Sequence, residues 1–405
     1  MKKTFASIAI IILATFSLFC ISGCDKKDNM PPKYVFLFIG DGMGVNQVAA
    51  TNAYLSYKSG KIGGELLGFC QFPYSAFCTT YSNDNGTTCS SAAGTAIATG
   101  HKTNNNYLGV DSEGNDLESI ACELKKQGYR IGIMSNVPIN HATPASFYGH
   151  SGSRSDYYSI TNDLTSSGFE FFAGSGFLDF YGKDGDLKAS DELVKESGYA
   201  VAWGKEEFDS IKDTCSQVVL CQAYNKGKEP ENYDIANIAP EGNMSLEETL
   251  AACMEFIGDA EPFFIMCEGG TIDWNCHANN TMATVTTVID FDKAISRAYE
   301  FYLAHPDETL IVVTADHETG GLALGCNGRY ASVDWESLEN RWIADGYKMQ
   351  YNKDELKEIY DNANVSWSST GHTGSPVPVY AIGKGAEKFT GTMDNTQIKG
   401  KILGE

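Results

Sequence analysis

Glu268-Gly-Gly-Thr-Ile-Asp273-Trp-Asn-Cys-His277 follows directly on the apolar run Glu261-Pro-Phe-Phe-Ile-Met-Cys267. That run has the length and composition of a buried parallel strand. Two carboxylates and an imidazole just beyond it would stand at the carboxyl edge of a sheet, where open α/β sheets bind ligands. Asp273 and His277 are four residues apart, so a helical turn would put them on one face. That geometry suits two ligands of one metal ion.

The rest of the chain repeats the strand-then-helix order. Lys33 to Ile39 is an apolar, β-forming run that ends in Gly40-Asp41-Gly42-Met43-Gly44. Asp116 can cap a helix with the apolar stripe Leu117, Ile120, Ala121 and Leu124, stopped by Gly128, and Ile131 to Met134 follows as a strand. Ser245-Leu-Glu-Glu248 is a capping box opening a helix that ends at Gly258, just before the Phe263 strand. A helical stretch from about Thr281 to Ala304 hands over at His305-Pro306 to the strand Thr309–Thr314. Alternation of this kind predicts an α/β fold with a mainly parallel sheet covered by helices on both faces.

The ends of the chain and its composition bound the function. Lys2-Lys3, an apolar run from Ile8 to Phe19 and then Ile21-Ser-Gly-Cys24 predict a signal peptide over residues 1–23, too short for a comfortable membrane span. The Ile-Ser-Gly-Cys ending resembles the cleavage box of bacterial lipoproteins, with Cys24 lipidated and anchoring the protein to a membrane outside the cytoplasm. Residues 24–32 form a polar tether and residues 33–405 a single catalytic domain. The charged and aromatic stretch at about 325–367 reads as a surface insertion. Without Lys2 and Lys3, 28 basic residues face 52 acidic ones, a net charge of −24. Such acidity excludes nucleic acid as a partner, and it would repel an anionic substrate unless bound cations reverse the local sign. Cys215 and Cys221 are the nearest pair of the remaining cysteines that could bridge.

Further metal-ligand residues follow other strands. Asp41 lies between glycines that allow close backbone approach. Thr314-Ala-Asp316-His317-Glu-Thr-Gly-Gly321 follows the Thr309 strand, and Gly371-His372-Thr-Gly374 comes later. Mixed Asp and His ligation without Cys-x-x-Cys pairs fits catalytic zinc, whereas Asp41 with Glu268 and a hydroxyl would suit magnesium. Paired metals can clamp the entering and leaving oxygens of a phosphoryl displacement. The candidate nucleophile lies in Thr87-Thr-Cys89-Ser90-Ser91-Ala-Ala, at the start of an Ala-rich helix whose amides could face an anion. Arg154, in His150-Ser-Gly-Ser-Arg154, is a candidate fork for phosphate.

On these motifs, which run from Tyr34 to Gly374, the chain resembles the alkaline phosphatases. The resemblance implies a three-layer α/β/α sandwich. It implies hydrolysis of small phosphate monoesters through a phosphoserine intermediate, with two zinc ions and one magnesium. Residue by residue, it puts Asp273, His277 and His372 at the first zinc, and Asp41, Asp316 and His317 at the second. Asp41, Thr143 and Glu268 fall at the magnesium, with His141 approaching that ion through water. It makes Ser90 the nucleophile and Arg154 the phosphate grip. Cys89 stands where the family commonly has Asp, and Trp274 where it has Lys or His, so Trp274 would alter contacts around the metals. Oligomeric state stays open, with a homodimer as one option. Other readings are a phosphodiesterase of the same superfamily and a non-catalytic binding lipoprotein. A sulfatase is disfavoured because Cys89-Ser-Ser-Ala-Ala93 lacks the Pro and Arg of the sulfatase motif.

Overall fold

The computed structural model describes residues 30–230 and 243–405; the signal peptide, Cys24 and most of the tether lie outside these. Its strands in chain order are β1 (Tyr34–Gly40), β2 (Tyr74–Thr79), β3 (Arg130–Ser135), β4 (Phe171–Gly174), β5 (Ala200–Trp203), β6 (Val218–Cys221) and β7 (Phe263–Gly269). They continue with β8 (Thr309–Thr314), β9 (Glu318–Thr319), β10 (Leu322–Leu324), β11 (Val365–Trp367), β12 (His372–Thr373), β13 (Val377–Gly383) and β14 (Gly391–Asp394). Among the described residues, ten of these form one sheet in the order β14-β2-β13-β8-β1-β7-β3-β4-β6-β5. Only β13 runs against its neighbours; the other pairings are parallel. The predicted α/β class with a mainly parallel sheet is what the chain adopts.

Each residue of β1 is buried, as is each of β7 and β8. That is why these strands read as continuous apolar runs rather than as alternating ones. Removal of so much Phe, Ile, Leu and Val surface from water is the main stabilising contribution at the centre, roughly 25 cal/mol per Å². The helix Thr281–Ala304 packs against β1, β7 and β8 and against the helices Val45–Lys58 and Leu246–Ile257. Ser245 and Glu248 form the expected reciprocal cap of the last of these helices.

Three local expectations are corrected. The helix after Asp116 begins only at Ile120, and Ser119 caps it by accepting the Cys122 N–H. Asp116 instead pairs with Val110 in an isolated bridge. Strand β7 does not end at Cys267 but runs through Glu268 and Gly269, because β1 and β3 continue alongside it, with Ile39 and Ser135 both in register with Glu268. Finally, Cys215 and Cys221 are free thiols. Cys221 ends the extended β6, where each residue advances the chain about 3.3 Å, whereas a bridge needs Cα atoms within about 7 Å.

Residues 325–367 contribute the helices Trp335–Ala344 and Lys353–Ala363 and then β11, which pairs with β10. This segment is tied to the loop after His277: the Tyr360 hydroxyl donates to the Asn279 carbonyl at 2.6 Å, and Trp367 Nε1 donates to Thr281 Oγ1 at 3.0 Å.

Candidate active site

Three adjacent parallel strands, β8, β1 and β7, deliver their carboxyl ends to one place. Asp41 leaves β1, Asp316 and His317 leave β8, and Glu268 closes β7. The helix Thr271–His277 follows β7 at once, and Asp273 Oδ2 lies 3.2 Å from His277 Nε2, the expected i, i+4 neighbours. The chain can turn so sharply after β1 because Gly42 adopts φ +73°; a Cβ there would also sit 2.9 Å from the Asp273 backbone. Its N–H donates to Asp316 at 3.2 Å, locking the β1 loop to the β8 loop.

Among the described residues, three groups of ligand atoms each lie within 4.8 Å of one another: Asp273, His317 and His372; Asp41, Asp316 and His317; and Asp41, His141 and Glu268. His317 belongs to two groups and Asp41 to two, so the three are continuous. His277 borders the first, its Nε2 lying 3.2 Å from both Asp273 Oδ2 and His372 Nε2. The imidazole of His141, expected one water away from the magnesium, is itself within the third group. Thr143 lies close by in the sequence, its buried hydroxyl without a hydrogen-bond partner.

The imidazole tautomers follow from the partners of Nδ1. His277 Nδ1 faces the Thr370 carbonyl at 2.5 Å and His372 Nδ1 the Thr88 carbonyl at 2.8 Å. A carbonyl only accepts, so both Nδ1 atoms carry the proton and both Nε2 lone pairs face each other. Two lone pairs and the Asp273 carboxylate need a positive centre between them. Its hydrogen bond to Asp273 raises His277 to about 8. In His317 too, Nδ1 carries the proton, although burial and then the neighbouring His372 hold this imidazole well below its ordinary value. Thr319 Oγ1 donates to Asp273 at 2.6 Å, so His317 Nδ1, 3.2 Å from that oxygen, is the donor to it. His317 Nε2 then faces Ser90 Oγ at 3.2 Å and Asp41 and Asp316 at 3.3 Å each.

The carboxylates show the same lack of positive charge. Asp41, Glu268 and Asp316 are fully buried. Burial first, then their mutual repulsion and that of Asp273, pushes Asp41 well above the usual carboxylate range and Asp316 up to about 8; burial pushes Glu268 up to about 7. Asp273 alone moves down, where its hydrogen bond from His277 and the neighbouring imidazoles outweigh burial. Both oxygens of Asp41, one of Glu268 and one of Asp316 have no hydrogen-bond partner. Buried carboxylates without partners are costly, so the donor set fits divalent cations and fits little else.

Ser90 is the first residue of the helix Ser90–Thr99, with its hydroxyl toward His317, while Ser91 Oγ points away to Cys89 Sγ at 3.2 Å. Arg154 is half-buried and donates through Nη2 to His141 Nε2 at 3.0 Å. An imidazole accepting from a guanidinium is neutral there, and burial together with that charge lowers His141 to about 3. Trp274 packs edge-on against the His141 ring, centroids 5.9 Å apart. Cys276 is buried beside Thr284 and faces the core rather than the cluster.

The sequence reading missed two residues that hold the ligands in place. Thr319 links Asp273 to His317 as described. The buried Glu318 accepts from Gln47 at 2.7 Å, from the Gly321 amide at 2.9 Å and from Thr373, beside His372. The signal for both lay in Asp316-His-Glu-Thr319, where only the first two residues were read.

The chain matches the family described as Alkaline phosphatase over residues 32–403. It is 31% identical to Alkaline phosphatase 4 of Bacillus subtilis (strain 168), over 98% of this chain and 95% of that one. With Alkaline phosphatase 3 of the same organism it shares 32%, over 98% and 94%. Its fold superposes on the alkaline phosphatase from the Antarctic bacterium TAB5 with a TM-score of 0.74 at 30% identity, covering 92% of this chain and 97% of the other. The cold-active enzyme of Shewanella sp. gives a TM-score of 0.78 at 26% identity, over 91% and 98%. A match of this length, on a fold that gathers buried carboxylates and imidazoles around a serine, shows that the chain belongs to the alkaline phosphatase family and catalyses metal-dependent hydrolysis of phosphate monoesters.

Proposed function

We propose that this phosphatase works through a phosphoserine on Ser90, with two zinc ions and one magnesium. In this reading Asp273, His277 and His372 hold one zinc, Asp41, Asp316 and His317 the other, and Asp41, Thr143 and Glu268 the magnesium. The observation that carries it is the Ser90 hydroxyl 3.2 Å from His317 Nε2, among buried carboxylates of which Asp41, Glu268 and Asp316 each keep at least one oxygen without a hydrogen-bond partner. A variant of the TAB5 enzyme with Asp in place of a histidine holds magnesium in its M3 site, which supports magnesium as one of the cations. Bound divalent cations would make the serine hydroxyl more acidic and offset charge on the phosphoryl oxygens and the leaving alkoxide.

The chain's own residues do the rest. Arg154 keeps Nη1 and Nε without protein partners among the described residues, so its fork can grip two phosphoryl oxygens. Ser90 Oγ bonds to phosphorus, the ester P–O bond breaks, and the alcohol departs with the serine's proton. Water then attacks the phosphoserine, returning the hydroxyl to Ser90 and releasing phosphate. Residues 325–367, tied to the loop after His277, would help to set the choice of monoester.

Metal removal tests this reading in two ways. Chelation should abolish hydrolysis of nitrophenyl phosphate, and re-addition of zinc with magnesium should restore it; element analysis of the native protein should return two zinc and one magnesium. Activity that survives exhaustive chelation would sink the proposal. The metal-free protein should also respond to pH with a definite sign. Glu268 and Asp316 rise to about 7 and about 8 from ordinary values of 4.5 and 3.8, so the folded chain holds protons that the unfolded chain has lost. Stability is then highest below about pH 4 to 5 for these groups, falls as pH rises, and reaches its floor above about 8. Thermal melts should show that decline for the metal-free form and not for the metal-loaded one, whose carboxylates are already ionised.

The same proposal places the enzyme outside the cytoplasm, held to a membrane by lipid on Cys24. Among the described residues no helix is long and apolar enough to cross a membrane. Cys24→Ser should move the protein from the membrane fraction to the soluble fraction and remove the acyl mass; unchanged fractionation would refute the anchor.

A further inference from the structure

The helix Thr271–His277 carries Asp273 and His277, and the chain leaves it through Ala278 into the turn Asn279-Asn280. Asn279 sits at φ +52°, its N–H donating to the Cys276 carbonyl at 2.9 Å. Residues 325–367 grip this turn. The Asn280 carboxamide donates to the Lys348 and Met349 carbonyls at 2.9 and 3.0 Å, and the Asn279 carbonyl accepts from the Tyr360 hydroxyl at 2.6 Å.

Between the same two segments, one donor and one acceptor are left over. Trp342 Nε1, on the helix Trp335–Ala344, and Asn279 Oδ1 are both buried, and neither has a hydrogen-bond partner in the protein. Trp342 is 5% exposed and Asn279 7%. Both residues line one cavity of about 20 Å³, with Leu338 and Ile359 among its other walls. An indole N–H can only donate and a carboxamide oxygen can only accept, so the two groups are complementary without meeting. A single water needs roughly 10–15 Å³ and at least two polar partners. The cavity meets both conditions and is too small for a larger ligand, and an N–H donor offers nothing to a cation.

We propose that this cavity binds one water molecule, which accepts from Trp342 Nε1 and donates to Asn279 Oδ1, and that Trp342 thereby helps to position His277 for its metal ion. Trp342 acts as a positioning residue, through the water and the turn two residues beyond His277. Groups that orient a metal's ligands from behind govern how tightly the ion is held, and a pinned turn limits how far His277 can swing from it. The water site stands on the two leftover groups alone. Its effect on His277 rests on that imidazole being a metal ligand, so the test keeps the two apart.

A crystal structure of the metal-loaded wild type should show one ordered water about 3 Å from both atoms; a dry cavity, or a direct bond between Trp342 and Asn279, would overturn the site. Trp342→Phe removes the donor, and Asn279→Gly removes the acceptor while keeping a residue suited to positive φ. Zinc transfer from the loaded enzyme to a chelating dye is then followed alongside the melting temperature. Each variant should quicken release of one zinc equivalent about three- to tenfold, within the range of coupling seen for networked residues. The other equivalent should stay within about twofold of wild type by the same reasoning. The double variant should release no faster than the worse single variant, because both changes lose the same water. A merely structural role predicts lower melting with both zinc equivalents affected alike. That result, additive effects in the double variant, or unchanged release in both single variants would each overturn the positioning role. Should one single variant fail to fold, the other carries the comparison. Full zinc retention by His277→Ala would instead overturn the ligand assignment on which that role rests.

Discussion

Ser90→Ala is expected to lower turnover of phosphate monoesters by at least about 10³-fold, the scale on which a covalent nucleophile's loss is felt. Ser90 lies at the helix start with its hydroxyl 3.2 Å from His317 Nε2, and no other serine hydroxyl is recorded against an imidazole of the cluster among the described residues. Ser91 provides the control. It is fully buried and its hydroxyl pairs with Cys89, so Ser91→Ala should keep most of the activity while costing some stability. Metal content should be unchanged in both variants. Quenched reactions with labelled phosphate should trap the label on wild type and not on Ser90→Ala. Near-native turnover by Ser90→Ala would show that phosphorus is attacked by water directly.

Asp41→Ala should be as damaging by a different route. Asp41 contributes to two of the three ligand groups, so its loss opens two sites at once. Loss of several kcal/mol of charge stabilisation in the transition state corresponds to a fall on the order of 10³-fold in kcat/KM, together with more than one equivalent of bound metal. The stability effect should carry opposite signs in the two forms. With metal bound, the variant should melt lower than wild type. Without metal it should melt no lower at pH 8, because both Asp41 oxygens are buried without partners among other carboxylates, and their removal relieves repulsion. Melting curves of both forms decide the matter. A metal-free variant markedly less stable than metal-free wild type would mean Asp41 is a structural residue.

Much of the site was legible locally. Asp41 after β1, Glu268 to His277 around the end of β7 and Asp316-His317 after β8 each follow a recognisable apolar run, and a strand's end is where an α/β sheet presents its side chains. Asp273 and His277 are neighbours because of helical spacing alone. The misreadings share a cause. The extension of β7 through Glu268 depends on the length of β1 and β3 beside it. The cap at Ser119 rather than Asp116 depends on Val110, which draws Asp116 into a bridge. Spacing along one segment holds no information about its neighbours.

The sequence by itself therefore determined the class of fold, the residue types available for metals, and the short-range pairs: the i, i+4 ligands, the Ser245 capping box and the glycines around Asp41. These depend on backbone periodicity and local sterics. Tertiary structure alone decided that β8, β1 and β7 lie side by side, and so which candidate ligands stand together. It also decided that His317 joins two ligand groups, that His141 meets Asp41 and Glu268, and that Tyr360 reaches Asn279. Those contacts join residues tens to hundreds of positions apart, and only the packing of the buried sheet brings them within a few ångströms.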